Sequence, residues 1–159
     1  MTFYRFPYLL LFLCFAIGCG GSGDRVTGTV TFSDGSPLTV GKVMFTNGTI
    51  TAFGDINSKG EYRMGTKKAG DGVPSGTYQV YITEALVPAG EQFSMKDEDG
   101  NTYSPLVLAI DPKFTVPSQC GLVCEVKGKT VFPIQVEKPP AGYSPFSLQD
   151  QRSAVRSSD

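Results

Sequence analysis

Val73-Pro74-Ser75-Gly76-Thr77-Tyr78-Gln79-Val80-Tyr81-Ile82 is the stretch that decides the fold class. Pro74 has its φ fixed near the value required at position i+1 of a turn. Gly76 stands where the chain leaves that turn and a side chain would crowd it. From Thr77 the residues alternate, with Tyr78, Val80 and Ile82 on one face and Thr77, Gln79 and Tyr81 on the other. The alternation predicts a strand with one buried side, entered through a fixed bend.

The same period recurs on both sides of this stretch. Residues 25–32 alternate with Val26, Val30 and Phe32 inward, and Gly28 marks a place where another element packs close. Asp34-Gly35 and Ser36-Pro37 turn the chain into a second strand at 40–46, with Val43 and Phe45 inward. Asn47-Gly48 predicts a hairpin, because both residues tolerate the positive φ of a type I′ turn. A third strand at 49–56 leads through the turn at 57–60 to a fourth at 61–64, with Tyr62 and Met64 on one face. Beyond the opening stretch, 122–126 reads as a sixth strand with Leu122, Cys124 and Val126 inward. Residues 130–137 read as a seventh, with Phe132, Ile134 and Val136 inward. Pro133 cannot donate to a ladder, so the seventh strand is expected to lie at an edge or to pair on one side only at that point.

Between strands five and six lies the longest irregular region, 86–112, with an acidic run and Thr102-Tyr103-Ser104-Pro105. Within it, residues 106–110 are apolar enough to dock on the core. A loop of this length in a small domain is expected to be functional or mobile. Seven short strands with turn residues between them predict an all-β fold, an antiparallel two-sheet sandwich.

The 159 residues have room for one domain. Residues 1–18 read as an export leader, 19–24 as a tether, 25–138 as the folded domain and 139–159 as a polar, disordered tail. The formal charge of −1 becomes −2 once a leader carrying Arg5 is removed, leaving 13 Lys+Arg against 15 Asp+Glu. With no overall basic surplus, nucleic-acid binding is not expected. The chain contains no histidine. That removes the commonest general base, the commonest metal ligand and the usual activator of a serine or cysteine nucleophile. No nucleophile–base pair can be assembled, so the chain is expected not to be an enzyme, and no cofactor is expected.

Arg5 precedes an apolar run at 8–17, too short for a stable membrane span, and Gly18-Cys19-Gly20 follows. Ala16-Ile17-Gly18-Cys19 resembles the bacterial lipoprotein signal, in which the cysteine is acylated and becomes the first residue of the mature chain. Gly20-Gly21-Ser22-Gly23 would then be a flexible tether between lipid and domain. The alternatives are an ordinary secretory signal cut nearby and an uncleaved anchor, which the length of the run disfavours. The resemblance implies an exported protein of the cell envelope, held to a membrane through Cys19. Because Gly20 is not acidic, it implies the outer membrane or a periplasm-facing position rather than inner-membrane retention.

Three motifs carry a second resemblance: Val26-x-Gly28-x-Val30-x-Phe32-x-Asp34-Gly35-x-Pro37-Leu38, then Gly60-x-Tyr62, then Val73-Pro74-x-Gly76-x-Tyr78-x-Val80. Together they resemble the carboxypeptidase regulatory-like domain, a prealbumin-like (transthyretin-like, with Ig-like architecture) seven-stranded sandwich, over about residues 25–137. In peptidases that domain accompanies the catalytic domain and carries no catalytic residues. The resemblance implies a fold and not an activity. The role expected of a rigid sandwich with a long variable loop is structural or protein-interaction, with an envelope protein as partner. The alternative is a carbohydrate- or peptide-binding module using the 86–112 loop, for which the absence of Trp is unfavourable. Relatives of the sandwich that are hydrolases or dioxygenases depend on histidine, which this chain lacks.

Candidate contact residues lie in the long loop, namely Lys96, Asp97, Asp99 and Tyr103. The acidic run at 97–99 does not fit an EF-hand loop, since Met95 and Leu106 would fall at ligand positions. Calcium bound at a loop rim with Asp71 or Asp111 stays open beside the simpler reading of a solvated turn. Cys120 and Cys124 are a candidate disulfide in an oxidising compartment. Four residues of extended chain would hold their Cα atoms about 13 Å apart, so bonding requires the chain to fold back at Gly121. Otherwise Cys124 is a small core residue.

Overall fold

A computed structural model of the chain describes residues 23–140 and Tyr143. The expected leader, Cys19 and the end of the expected tail lie outside the described residues. In chain order the strands are β1 (Val26–Phe32), β2 (Lys42–Thr46), β3 (Thr51–Asp55), β4 (Glu61–Arg63), β5 (Gly76–Thr83), β6 (Leu86–Pro88), β7 (Met95–Lys96), β8 (Thr102–Tyr103), β9 (Leu106–Leu108), β10 (Leu122–Val126), β11 (Thr130–Val131) and β12 (Ile134–Val136). One helical turn, α1 (Pro117–Cys120), precedes β10, and 3-10 turns occupy Glu91–Phe93 and Pro112–Thr115.

Two four-stranded sheets build the sandwich. One has the order β10-β5-β2-β3, antiparallel throughout. In the other, β1 is flanked by β4 on one side and by β11 and then β12 on the other. β11 and β12 are one strand interrupted at Phe132-Pro133, so the eight segments make seven strands. The interruption falls at the proline that cannot donate, and this strand is an edge, as its sequence predicts. One pairing departs from the antiparallel expectation, because the first and last strands run parallel. Alternation along a strand fixes which face is buried and carries no information on the direction of a neighbour. A bridge between Phe53 and Gly65 joins the sheets along one side.

The inward faces agree with the alternation. Val26, Val30, Ile134 and Val136 of one sheet meet Val43, Phe45, Tyr78, Val80, Ile82, Cys124 and Val126 of the other, all fully or nearly fully buried. Each such aliphatic or aromatic side chain contributes about 1.5–3 kcal/mol by leaving water. Phe45 lies at the centre, its ring 6.1 Å from that of Tyr78 and 6.0 Å, edge-on, from that of Phe132.

Gly28 occupies a close approach between strands, with no room for a side chain. Its cross-strand partner is Tyr62, whose ring passes over β1 so that the hydroxyl donates to the Phe132 carbonyl at 2.5 Å on the far side. One side chain thus ties β4, β1 and the last strand together. Burial raises the Tyr62 phenol well above its ordinary value, so it acts only as a neutral donor.

Two turn expectations change in mechanism. At Asn47-Gly48 only Gly48 has positive φ (87°), so the turn is not type I′. Instead the Asn47 carboxamide accepts from the Thr49 and Ile50 amides, an Asx-type closure. At Gly76 a Cβ would meet nothing closer than the Tyr78 ring at 3.6 Å; the glycine is required by its φ of 154°, not by crowding. The bend before it is held by the Tyr78 hydroxyl, which donates to the Pro74 carbonyl at 2.9 Å.

Asp34 closes the β1–β2 turn by accepting from the Ser36 hydroxyl and amide and pairing with Lys138. These contacts, the Ser36 hydroxyl first, hold its carboxyl down from 3.8 to about 2. A depressed folded pKa means that its contribution is complete above about 3.8 and disappears as pH falls through about 2. The stability difference between wild type and Asp34→Asn in urea unfolding should therefore shrink across that window and vanish only below about pH 2. A difference independent of pH would refute the assignment.

Candidate functional site: a hairpin arm at one end of the sandwich

The sandwich has two distinct ends. Asp24, paired with Val73, lies where β1 and β5 begin, and this near end is where the described chain starts. β5 finishes at the far end with Thr83, opposite Lys42, and β12 finishes there too, with Val136 opposite Phe32. The core is closed at the far end by Ala85, Ile110 and Phe114.

Residues 86–108, expected to be irregular, are ordered as a nested hairpin that rises from this far end. β6 pairs with β9, and the ladder continues through the Ala89 amide, which donates to the Pro105 carbonyl at 2.8 Å. Ser104 adds a hydroxyl bond to the Gly90 carbonyl, and beyond it β7 pairs with β8. The sequence hides this hairpin because Pro88, Gly90 and Pro105 interrupt the alternation, leaving strands of two or three residues. The base is clamped into the sandwich. The Ala109 amide donates to the Ala85 carbonyl and the Asp111 amide to the Glu137 carbonyl, both at 2.8 Å. Glu84 turns the chain into the arm with φ of 57°, unusual for a residue with a side chain, and its carboxylate pairs with Lys42 at 2.9 Å.

The candidate contact residues come together at the tip. Lys96 ends β7, Asp97 and Asp99 lie in the closing turn, and Tyr103 ends β8 opposite Met95. Asp97 is the organiser. It accepts from the Asn101 amide at 2.7 Å and the Asn101 carboxamide at 3.1 Å, while Gly100 takes a φ of 82°. Those bonds, the Asn101 side chain first, hold the Asp97 carboxyl below its ordinary value.

The sequence reading missed the arm's apolar surface. Phe93 is 50% exposed, Tyr103 48% and Leu106 59%, and Leu86 and Met95 are exposed beside them. Leu106 was expected to dock inward with the rest of 106–110; Ile110 does so, while Leu106 faces water. A run of apolar residues broken by turns is the signal for such a surface, and only the structure shows which of them find no neighbour.

The other candidates do not converge. Asp71 accepts from the amides of Thr66, Lys67 and Lys68, and Asp111 caps the turn at Pro112–Thr115. Neither is near Asp97, and among the described residues no three acidic or cysteine side chains gather as a metal site. Cys120 and Cys124 are both unbonded in the structure. Gly121 does fold the chain back, with φ of 66°, but the Cys120 thiol donates to the Val80 carbonyl at 2.6 Å. Cys124 is buried against the core, which pushes its thiol up.

No known family profile matches the sequence, and no curated protein matches it. Among solved structures, the fold overlaps in part with a DUF3823 family protein from Bacteroides ovatus (15% identity, TM-score 0.37, 72% of this chain and 44% of that one). It also overlaps with BcpA, the major pilin subunit of Bacillus cereus (15% identity, TM-score 0.37, 76% and 31%). A third is the Bacillus anthracis TIE protein (13% identity, TM-score 0.38, 74% and 17%). The chain spans less than half the length of each.

Proposed function

We propose that this chain is a non-enzymatic, lipid-anchored module of the bacterial cell envelope, a prealbumin-like sandwich that presents the 86–108 arm to a protein partner. The observation that carries the reading is the arm itself. It is an ordered hairpin with an apolar, aromatic-bearing surface, raised from the end of the sandwich opposite to the one at which the chain arrives from Cys19. Exposed apolar side chains concentrated on one hairpin are the material of an interaction surface, and Tyr, Phe and Met are the residue types enriched at interface centres. The acidic turn at 97–99 gives that surface a charged rim.

Chemical cross-linking in intact cells tests the proposal. A shortened arm in which Asn-Gly replaces residues 90–104 joins the paired Ala89 and Pro105 through a two-residue turn. Residues 90–104 contribute nothing to the buried core, so the melting temperature should change by less than about 4 °C. Cross-links to the partner should disappear from the shortened protein. Capture of the same partner by both proteins, or of no partner by a wild type that is abundant and lipidated, would overturn the proposal.

A further inference from the structure

The charges of the described residues are sorted along the long axis of the sandwich. Arg25, Arg63, Lys67, Lys68, Lys127 and Lys129 are all exposed at or beside the near end. Arg25 and Lys127–Lys129 flank the start of β11, where the Thr130 amide donates to the Arg25 carbonyl. Arg63 pairs with Thr27 at the start of β1, and Lys67 and Lys68 follow in the loop that leads to Gly72. The three ion pairs among the described residues involve Lys42, Lys113 and Lys138, all at the far end, and none of these six cations.

Three carboxylates share the near end. Asp24 accepts from the Ser75 hydroxyl, Asp71 is held by the three amides of 66–68, and Glu125 projects from β10 beside Thr77. Asp71 therefore shapes the very loop that presents Lys67 and Lys68. Six cations against three carboxylates leave this end positive, although the whole chain is slightly negative. The compensating acids, including the 97–99 turn, lie at the other end.

We infer that the near end is a docking face for the anionic phospholipid headgroups of the bilayer, which holds the domain upright with the arm turned away. The inference rests on the reading of Cys19 as the anchor for its geometry. Four residues separate Cys19 from Gly23, at most about 14 Å of extended chain, so the face stays within reach of the headgroups. The eight residues of β5 set the two ends about 26 Å apart. That exceeds the screening length of about 8–10 Å at physiological salt, so the acidic tip does not cancel the attraction of the basic face. A basic patch beside a lipid chain is also the second signal that makes membrane attachment stable.

The test uses the chain from residue 19 with Cys19→Ser, sedimented with phosphatidylcholine vesicles with and without phosphatidylglycerol. Binding is expected only with phosphatidylglycerol, and it should fall as salt rises. Each cation near an anionic surface is worth about fivefold in partition, so Lys67→Gln, Lys68→Gln, Lys127→Gln and Lys129→Gln together should lower it at least about a hundredfold. Lys42→Gln with Lys96→Gln, at the far end, should leave it unchanged. Equal binding to both vesicle types, no binding at low salt, or equal binding by the two variants would overturn the inference. So would tighter retention by soluble polyphosphate than by vesicles, which would point to an acidic polymer. The intact mass of protein extracted from membranes decides lipidation at Cys19 separately. An unmodified Cys19 removes the anchor and leaves the vesicle result standing, and a lipidated one leaves the anchor standing if the vesicle result fails.

Discussion

Gly28→Val should leave the protein unable to hold its first, fourth and last strands together. A Cβ at this position would sit 2.0 Å from the Phe132 carbonyl oxygen and 2.6 Å from the Tyr62 hydroxyl. The first contact is with backbone, so relief requires β1 and the last strand to separate. Moving the Tyr62 ring aside instead breaks its bond to Phe132 and opens the core that the ring covers. Overpacking of this kind costs about 1–3 kcal/mol before the lost hydrogen bond adds about 1 more, and valine's branched side chain adds to both. Against a typical domain stability of about 5–15 kcal/mol, a loss of about 4 kcal/mol is a large share. Urea unfolding of Gly28→Ala, which carries the Cβ alone, is the sharper measurement, since the valine variant risks not folding at all. Tyr62→Phe is the control, because it removes only the hydroxyl and should cost about 1 kcal/mol. A loss under about 0.5 kcal/mol for Gly28→Ala would mean that the strands separate freely and that Tyr62 does not lock them.

The residues of this lock were legible in the sequence one at a time. The alternation at 25–32 made Gly28 a point of close approach, and the pattern at 61–64 placed Tyr62 inward. What could not be read is that the two are opposite each other, because cross-strand partners are set by sheet register and not by local period. The same limit explains the parallel pairing of the first and last strands. The arm was hidden for a different reason. Its strands are too short for alternation to register, and its stability comes from the clamp at Ala85 and Asp111, contacts between residues far apart in sequence. Its tip was legible, since Asp97 to Asn101 carries the turn chemistry openly, and the candidate contact residues do meet there. Its apolar surface was not. Leu106 and Ile110 look alike as letters, and only the packing separates the exposed residue from the buried one. The charge sorting was hidden by the composition, where a total near zero conceals a basic end and an acidic one.

Phe45→Ala is expected to be the most destabilising single truncation, with a loss of about 3–5 kcal/mol. Phe45 is fully buried on β2, in a central strand of the β10-β5-β2-β3 sheet, with Ala52 and Val80 as its lateral partners. Ala52 has only a methyl group to offer, so the space left by the ring cannot be refilled from that side. Two aromatic contacts are lost with it, to Tyr78 and to Phe132, each of order 1 kcal/mol beyond simple burial. Phe132 makes the effect directional. It sits in the interruption between β11 and β12, and the Phe45 ring is the aromatic surface against which it packs. Without that ring the last strand keeps its ladder to β1 but loses an internal support. Hydrogen exchange at the Thr130 and Phe132 amides, which bond to the Arg25 and Thr27 carbonyls, should then speed up by more than exchange in β5 does. Equal acceleration in both would mean that the sandwich opens only as a unit. Preferential opening of the last strand would locate the weakest seam at the one strand that Pro133 already interrupts. Phe93→Ala on the arm supplies the contrast. The same truncation at a half-exposed ring should leave urea unfolding within about 0.5 kcal/mol of wild type. Stability resides in the sandwich, and the arm's exposed apolar side chains add little to it.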